Sequence, residues 1–218
     1  MSMVNHEVQE GIAPQAIKRV GILGASTIGV GVAMHLLEAD IPVTIFDVER
    51  GSLDQGLAVL RHGAPDAACG DRRMALLAGT LNFHHLKDCD LVFEAVSTDI
   101  GVKEKLFGRL DQVVKPGAIL GTCTSASDVD HLAGFTRRRG EVLGLHVPSP
   151  PDHGATWTPT AGKGCSVQSL ATVTALVRKL QQGSAPSGVC RGDGGKDGST
   201  MQGTGRHAVS WHIGQALE

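Results

Sequence analysis

Residues 19–33 read RVGILGASTIGVGVA, and this stretch decides the fold of the chain. The apolar, β-branched run that ends at Leu23 predicts a buried strand, and the glycines that follow predict a tight turn. The run VAMHLLEA at 32–39 has apolar residues at helical spacing, and VTIFD at 43–47 is a second β-branched run. Residues 18–47 therefore predict a strand–turn–helix–strand unit.

The rest of the chain continues this alternation of helices and strands. The patterns predict helix over 50–79, strand over 90–96, helix over 102–114, strand over 118–125, helix over 128–139, strand over 141–147, an irregular segment over 148–165, and a last helix over 167–180. Such an order predicts an α/β fold of the Rossmann type, a doubly wound and mostly parallel sheet with helices on both faces.

The turn after the first predicted strand resembles a dinucleotide fingerprint. Gly24 and Gly29 occupy the first and third glycine positions, and Ser26 occupies the second. The first glycine makes the tight turn and the third lets the helix pack closely on the strand, so that a pyrophosphate can rest on the helix N-terminus. The Cβ of Ser26 is expected to crowd the phosphate path and to cost some affinity.

Asp47 ends the second predicted strand, 23 residues after Gly24. A carboxylate at this point accepts hydrogen bonds from the ribose hydroxyls and repels a 2′-phosphate, which favours NAD over NADP. The alternative is a structural glycine turn followed by an acidic strand end by chance.

Composition and charge exclude several classes of protein. The chain has 218 residues, with 20 Lys and Arg against 22 Asp and Glu, so no basic excess points to a nucleic-acid partner. We interpret the short basic cluster at 137–139 as a solvated helix end. No apolar run is long enough for a membrane span, and no signal peptide is recognisable. The five cysteines form no CxxC pair, which favours a reducing compartment and a cytoplasmic location.

Three regions follow from these patterns. Residues 1–17 are predicted to be a leader or linker, residues 18–180 an NAD-binding Rossmann domain, and residues 181–218 a glycine-rich tail that we expect to be flexible. The histidines of the chain have no ligand set at matching spacing, so no metal site is predicted.

Six segments in the same order resemble one family. Besides RVGILGASTIGVGVA they are VTIFD, DLVFEAV, VKEKLFGRLDQVVKPGAIL, CTSAS and VLGLHVPSP. They are similar to the NAD-binding N-terminal domain of the 3-hydroxyacyl-CoA dehydrogenases over about residues 18–150. The resemblance implies reversible hydride transfer between NAD and a 3-hydroxyacyl thioester or related 3-hydroxy acid, an acyl-CoA-like small-molecule substrate, and a role in fatty-acid β-oxidation.

The resemblance also implies individual site residues. The catalytic histidine of the family falls on His146, and the serine that binds the substrate hydroxyl falls on Ser125. Structural alternatives stay open for both, as a satisfied histidine at a strand end and as a helix N-cap. The implied cofactor contacts are Gly24, Ser26, Thr27, Ile28, Gly29, Asp47, Ala95, Val96, Lys103 and Ser125.

Two departures from the family limit what the resemblance implies. The glutamate that pairs with the family's histidine is matched here by Thr158, and a glycine-rich tail stands where the family has a helical domain that forms its dimer. A non-catalytic NAD-binding module and a fragment of a larger bifunctional β-oxidation protein are therefore alternatives. Apolar surface uncovered by the missing domain would favour a homodimer.

Overall fold

The computed structural model describes residues 12–62, 67–96, 99–124, 126–147 and 157–181. Its strands are β1 (Val20–Leu23), β2 (Val43–Phe46), β3 (Leu77–Thr80), β4 (Leu91–Glu94), β5 (Ile119–Thr122), β6 (Val142–His146) and β7 (Thr158–Ala161). Its helices are α1 (Thr27–Glu38), α2 (Arg50–His62), α3 (Ala67–Leu76), α4 (Ile100–Val113), α5 (Ala126–Ala133) and α6 (Val167–Gln181). None of these helices is long and apolar enough to cross a membrane.

All seven strands form one sheet in the order β3-β2-β1-β4-β5-β6-β7. The first six strands are parallel, and β7 pairs antiparallel with β6. Every residue of β1, β2, β4 and β5 is buried, as expected for central parallel strands that are covered on both faces. One core cluster lies between the sheet, α1 and α6, and a second lies between the sheet, α4 and α5. The predicted Rossmann fold is confirmed.

Two strands were missed by the sequence patterns. Part of the segment predicted as helix over 50–79 forms β3, and part of the segment predicted as irregular over 148–165 forms β7. Both lie at the outer edges of the sheet, where pairing with one neighbour suffices. β7 contains Pro159, which lacks an N–H and is tolerated in an edge strand. Neither four-residue segment has an apolar alternation that could have revealed it.

The helix predicted over 128–139 is also wrong in its extent. α5 ends at Ala133, and the chain then turns away at Gly134, whose N–H donates to the carbonyl of His131. The described part of the segment predicted as a leader, residues 12–17, contacts α6 through two hydrogen bonds. Gln15 N–H donates to Thr172 Oγ1 at 3.0 Å, and Gln168 Nε2 donates to the Ala13 carbonyl at 2.6 Å, so this segment lies against α6.

The interpretation of the basic cluster as a solvated helix end is wrong for Arg138. Its side chain is 13% exposed, and Nε donates to Asp111 Oδ1 at 2.8 Å. The other guanidinium nitrogens donate to the carbonyls of Asp111, Val114, Lys115 and Ala118. These include carbonyls at the C-terminal end of α4 that have no partner within the helix. Arg138 therefore caps α4.

The carboxylate of Asp111 accepts hydrogen bonds from both Arg137 and Arg138. Burial alone would raise the pKa of the Asp111 carboxyl, but the hydrogen bonds from the two arginines outweigh burial and hold the pKa below its usual value. The pairing is therefore complete at neutral pH.

Arg138→Ala should lower the free energy of unfolding by about 3 kcal/mol, because it removes one of the two donors of a buried carboxylate and the donor of several carbonyls. Arg137→Ala is the matched control. Arg137 contacts the same carboxylate but is 82% exposed, so its loss should cost about 1 kcal/mol or less. Urea unfolding of both variants measures the difference, and equal losses would contradict the capping role.

Candidate functional site at the carboxyl end of the sheet

The parallel strands place several predicted site residues at one end of the sheet, which we call the carboxyl end. Gly24 follows β1, Asp47 follows β2, Ala95 follows β4, and His146 closes β6. β1 lies between β2 and β4 in the sheet. The chain therefore adds β2 and β3 on one side of β1, and β4, β5 and β6 on the other side. In open α/β sheets this switch point forms the crevice that binds a ligand.

The turn between β1 and α1 requires glycine at two positions. Gly24 has a φ of +96°, and an added Cβ there would lie 2.7 Å from Val96 Cγ1. An added Cβ at Gly29 would lie 2.1 Å from the carbonyl oxygen of Gly24, which no side chain can do. Because of these two glycines, the first turn of α1 packs directly on the end of β1.

Ser26 caps α1 and connects the glycine turn to the residue that follows β4, a neighbour of β1 in the sheet. Its Oγ accepts a hydrogen bond from the Gly29 N–H at 3.2 Å and donates to the Ala95 carbonyl at 2.8 Å. The side chain expected to crowd the phosphate path is thus held between Gly29 and Ala95. A helix leaves its first amides without intrahelical partners, so those of Thr27 and Ile28 can donate to an anion at this N-terminus.

Asp47 binds the glycine turn from β2. The residue is 2% exposed, Oδ2 accepts from the Ala25 N–H at 2.8 Å, and Oδ1 accepts from the Glu49 N–H at 3.0 Å. An ionised carboxylate offers about four acceptor directions, so two remain for further donors. The predicted ribose-binding acid therefore also holds the turn in place.

Lys103, predicted as a cofactor contact, lies in a buried polar cluster. Its Nζ is 2.5 Å from Glu94 Oε2, and Thr122 Oγ1 donates to the same oxygen at 2.7 Å. Glu94 and Thr122 were not predicted as site residues. The signal that could have identified Glu94 is a charged residue at the end of the otherwise apolar strand LVFE.

His146 lies exposed at the end of β6, directly opposite Thr158 of β7. Directly opposite residues of an antiparallel pair have their side chains on one face, with Cα atoms about 4.5–5.5 Å apart. The threonine that matches the family's glutamate in sequence is thus the cross-strand neighbour of the histidine. Ser125 lies outside the described residues, immediately before the first residue of α5.

These residues fit a dinucleotide such as NAD. The two glycines let α1 pack directly on the end of β1, so the helix presents its N-terminus to a pyrophosphate, and Asp47 has acceptor directions for a ribose.

The comparison with a protein family agrees with this geometry. The family described as 3-hydroxyacyl-CoA dehydrogenase, NAD binding domain, matches residues 19–186. The solved structure of (S)-3-hydroxybutyryl-CoA dehydrogenase PaaH1 from Ralstonia eutropha superposes with a TM-score of 0.70 and 26% identity, covering 76% of this chain and 61% of that one. FadB2 of M. tuberculosis gives a TM-score of 0.69 with 28% identity, covering 78% and 63%.

Curated relatives extend well beyond this chain. The peroxisomal bifunctional enzyme of Danio rerio is 31% identical over 183 residues, which cover 82% of this chain and 25% of the relative. The fatty acid oxidation complex subunit alpha of Shewanella frigidimarina is 31% identical over 196 residues, which cover 85% and 27%. The chain thus spans about a quarter of the length of these relatives. With the family match over 19–186, the cofactor is NAD, and the chain belongs to the 3-hydroxyacyl-CoA dehydrogenase family, whose NAD-binding domain it carries.

Proposed function

We propose that this chain supplies the NAD-binding half of a 3-hydroxyacyl-CoA dehydrogenase, which transfers hydride between a 3-hydroxyacyl thioester and NAD. The observation that carries the proposal is the position of His146, an exposed imidazole at the same end of the sheet as the Gly24 turn and Asp47. With the adenosine ribose at β2, a dinucleotide that crosses β1 directs its nicotinamide half toward β4, β5 and β6.

In this proposal the chain's own residues bind and orient the reactants. Bound NAD supplies the hydride acceptor. His146 takes the proton of the substrate hydroxyl as general base, a step for which an imidazole is suited near neutral pH. Ser125, by resemblance, donates a hydrogen bond to the substrate oxygen. An acyl-CoA-like substrate and a role in fatty-acid β-oxidation are supported by the names of the relatives.

The second candidate function is NAD binding without turnover, and Thr158 is the observation that favours it. A carboxylate partner fixes the tautomer of a catalytic imidazole and stabilises its protonated form, and in the serine proteases its loss lowers kcat by about 10⁴. Thr158 has a hydroxyl at that place and no charge. The homodimer and the cytoplasmic location stay predictions, and some relatives are named as peroxisomal.

Asp47→Asn should weaken NADH binding at least about tenfold, because hydrogen bonds to a charged acceptor contribute about 1.5–3 kcal/mol. Asp90→Asn is the matched control. Asp90 Oδ2 accepts from the N–H groups of Lys18 and Arg19, at the opposite end of β1. Calorimetric titration of both variants compares the affinities, and an equal loss in both would show that only stability had changed.

His146→Ala should lower the rate of NADH oxidation with acetoacetyl-CoA by about 10²–10⁴, because general-base catalysis contributes about that factor. NADH binding should stay within about twofold of the unmodified chain, because the cofactor contacts lie elsewhere. His84→Ala, which changes an exposed histidine of the short turn 83–86, is the control. Absorbance at the NADH band follows the reaction, and a folded unmodified chain that binds NADH without turnover would favour the second candidate.

Thr158→Glu should raise the rate of that reaction at least about tenfold, because it places a carboxylate directly opposite His146. Thr158→Gln provides the same length without the charge and should leave the rate near that of the unmodified chain. If both variants gave the same rate, the missing carboxylate would not be what limits the reaction.

A further inference from the structure

A charged pair occupies a core position beneath the carboxyl end of the sheet. The inward face of α4 carries Lys103, Leu106, Phe107 and Leu110 at helical spacing, so Lys103 stands where an apolar side chain would pack. Lys103 is 4% exposed and its partner Glu94 is 0% exposed. Replacing a buried ion pair by apolar side chains is often neutral or stabilising, so stability alone is a weak reason for such a pair.

Glu94 binds three separate elements with one carboxylate. Oε1 accepts from the Val96 N–H at 2.8 Å, in the turn that follows β4. Oε2 accepts from Thr122 Oγ1 of β5 and from Lys103 Nζ of α4. The carboxylate therefore fixes the β4–α4 turn, the end of β5 and the lysine relative to one another.

This cluster lies on the nicotinamide side of the switch point. The turn that Glu94 holds also packs against the glycine turn between β1 and α1. Ser26 Oγ donates a hydrogen bond to the Ala95 carbonyl, and Val96 lies so close to Gly24 that an added Cβ there would collide with it. In the proposed NAD site the adenosine ribose binds on the opposite side, at the end of β2, where Asp47 lies. A dinucleotide bound across β1 consequently places its nicotinamide half over the ends of β4 and β5.

We propose that Glu94 is a positioning residue for the nicotinamide half of the cofactor, which acts by holding Lys103 and the β4–α4 turn in the geometry that receives it. The inference rests on the NAD site argued above and assigns a role to a residue that does not itself need to touch the cofactor.

The test compares NADH with AMP, which contains only the adenosine half of the cofactor. Glu94→Gln alone leaves the Lys103 charge buried without its partner and can unfold the chain, so the main variant is Glu94→Gln with Lys103→Met, which removes both charges. This double variant should bind NADH at least about tenfold more weakly and AMP within about twofold of the unmodified chain, while it melts near the original temperature.

The matched control is Glu38→Gln with Arg73→Met, which removes a 2.8 Å ion pair between the last residue of α1 and α3. It should leave both affinities unchanged. The proposal is overturned if the Glu94/Lys103 variant binds NADH as the unmodified chain does, or if its NADH and AMP affinities fall together. If the folded unmodified chain binds neither ligand, the cofactor site itself is refuted instead.

Discussion

The close approach of α1 to the end of β1 is the constraint on which the rest of the site depends. A Cβ at Gly29 would lie 2.1 Å from the Gly24 carbonyl, so any side chain there must push the helix away from the sheet. With glycine, the N-terminus of α1 and its unpaired amides lie at the switch point of the sheet. The same approach brings the Ala25 N–H within hydrogen-bond distance of Asp47.

Side chains from neighbouring strand ends then make this region rigid. Asp47 binds the backbone of the glycine turn, Ser26 binds the Ala95 carbonyl, and Glu94 binds the Val96 N–H. The first two contacts join the turn after β1 to the residues that follow β2 and β4, and the third holds Val96 to the end of its own strand, β4. A site ordered before the cofactor arrives loses less conformational entropy on binding, which favours affinity.

The side of the crevice proposed to be catalytic differs from the side predicted to bind NAD. The residues predicted to bind NAD follow central strands that are buried on both faces, whereas His146 lies exposed at the end of β6 and pairs with the edge strand β7. An edge strand makes fewer contacts with the core, so a change such as threonine for glutamate at residue 158 perturbs the fold little. The predicted NAD site and the proposed site of hydride transfer therefore lie on parts of the sheet with different tolerance to substitution.

The sequence by itself determined the β1–α1–β2 unit, the two required glycines and Asp47, because these residues lie within about thirty positions and interact through local turn and helix geometry. It did not determine β3 and β7, which have no apolar alternation and exist because β2 and β6 offer pairing partners. It also could not assign Arg138 to the end of α4, or Glu94 to Lys103 and Thr122. Those contacts join different helices and strands. The periodicity of apolar residues indicates which face of a helix or strand is buried, but it does not indicate which residues of another element contact that face. Only the packing of α4 on the sheet decided which buried charges meet.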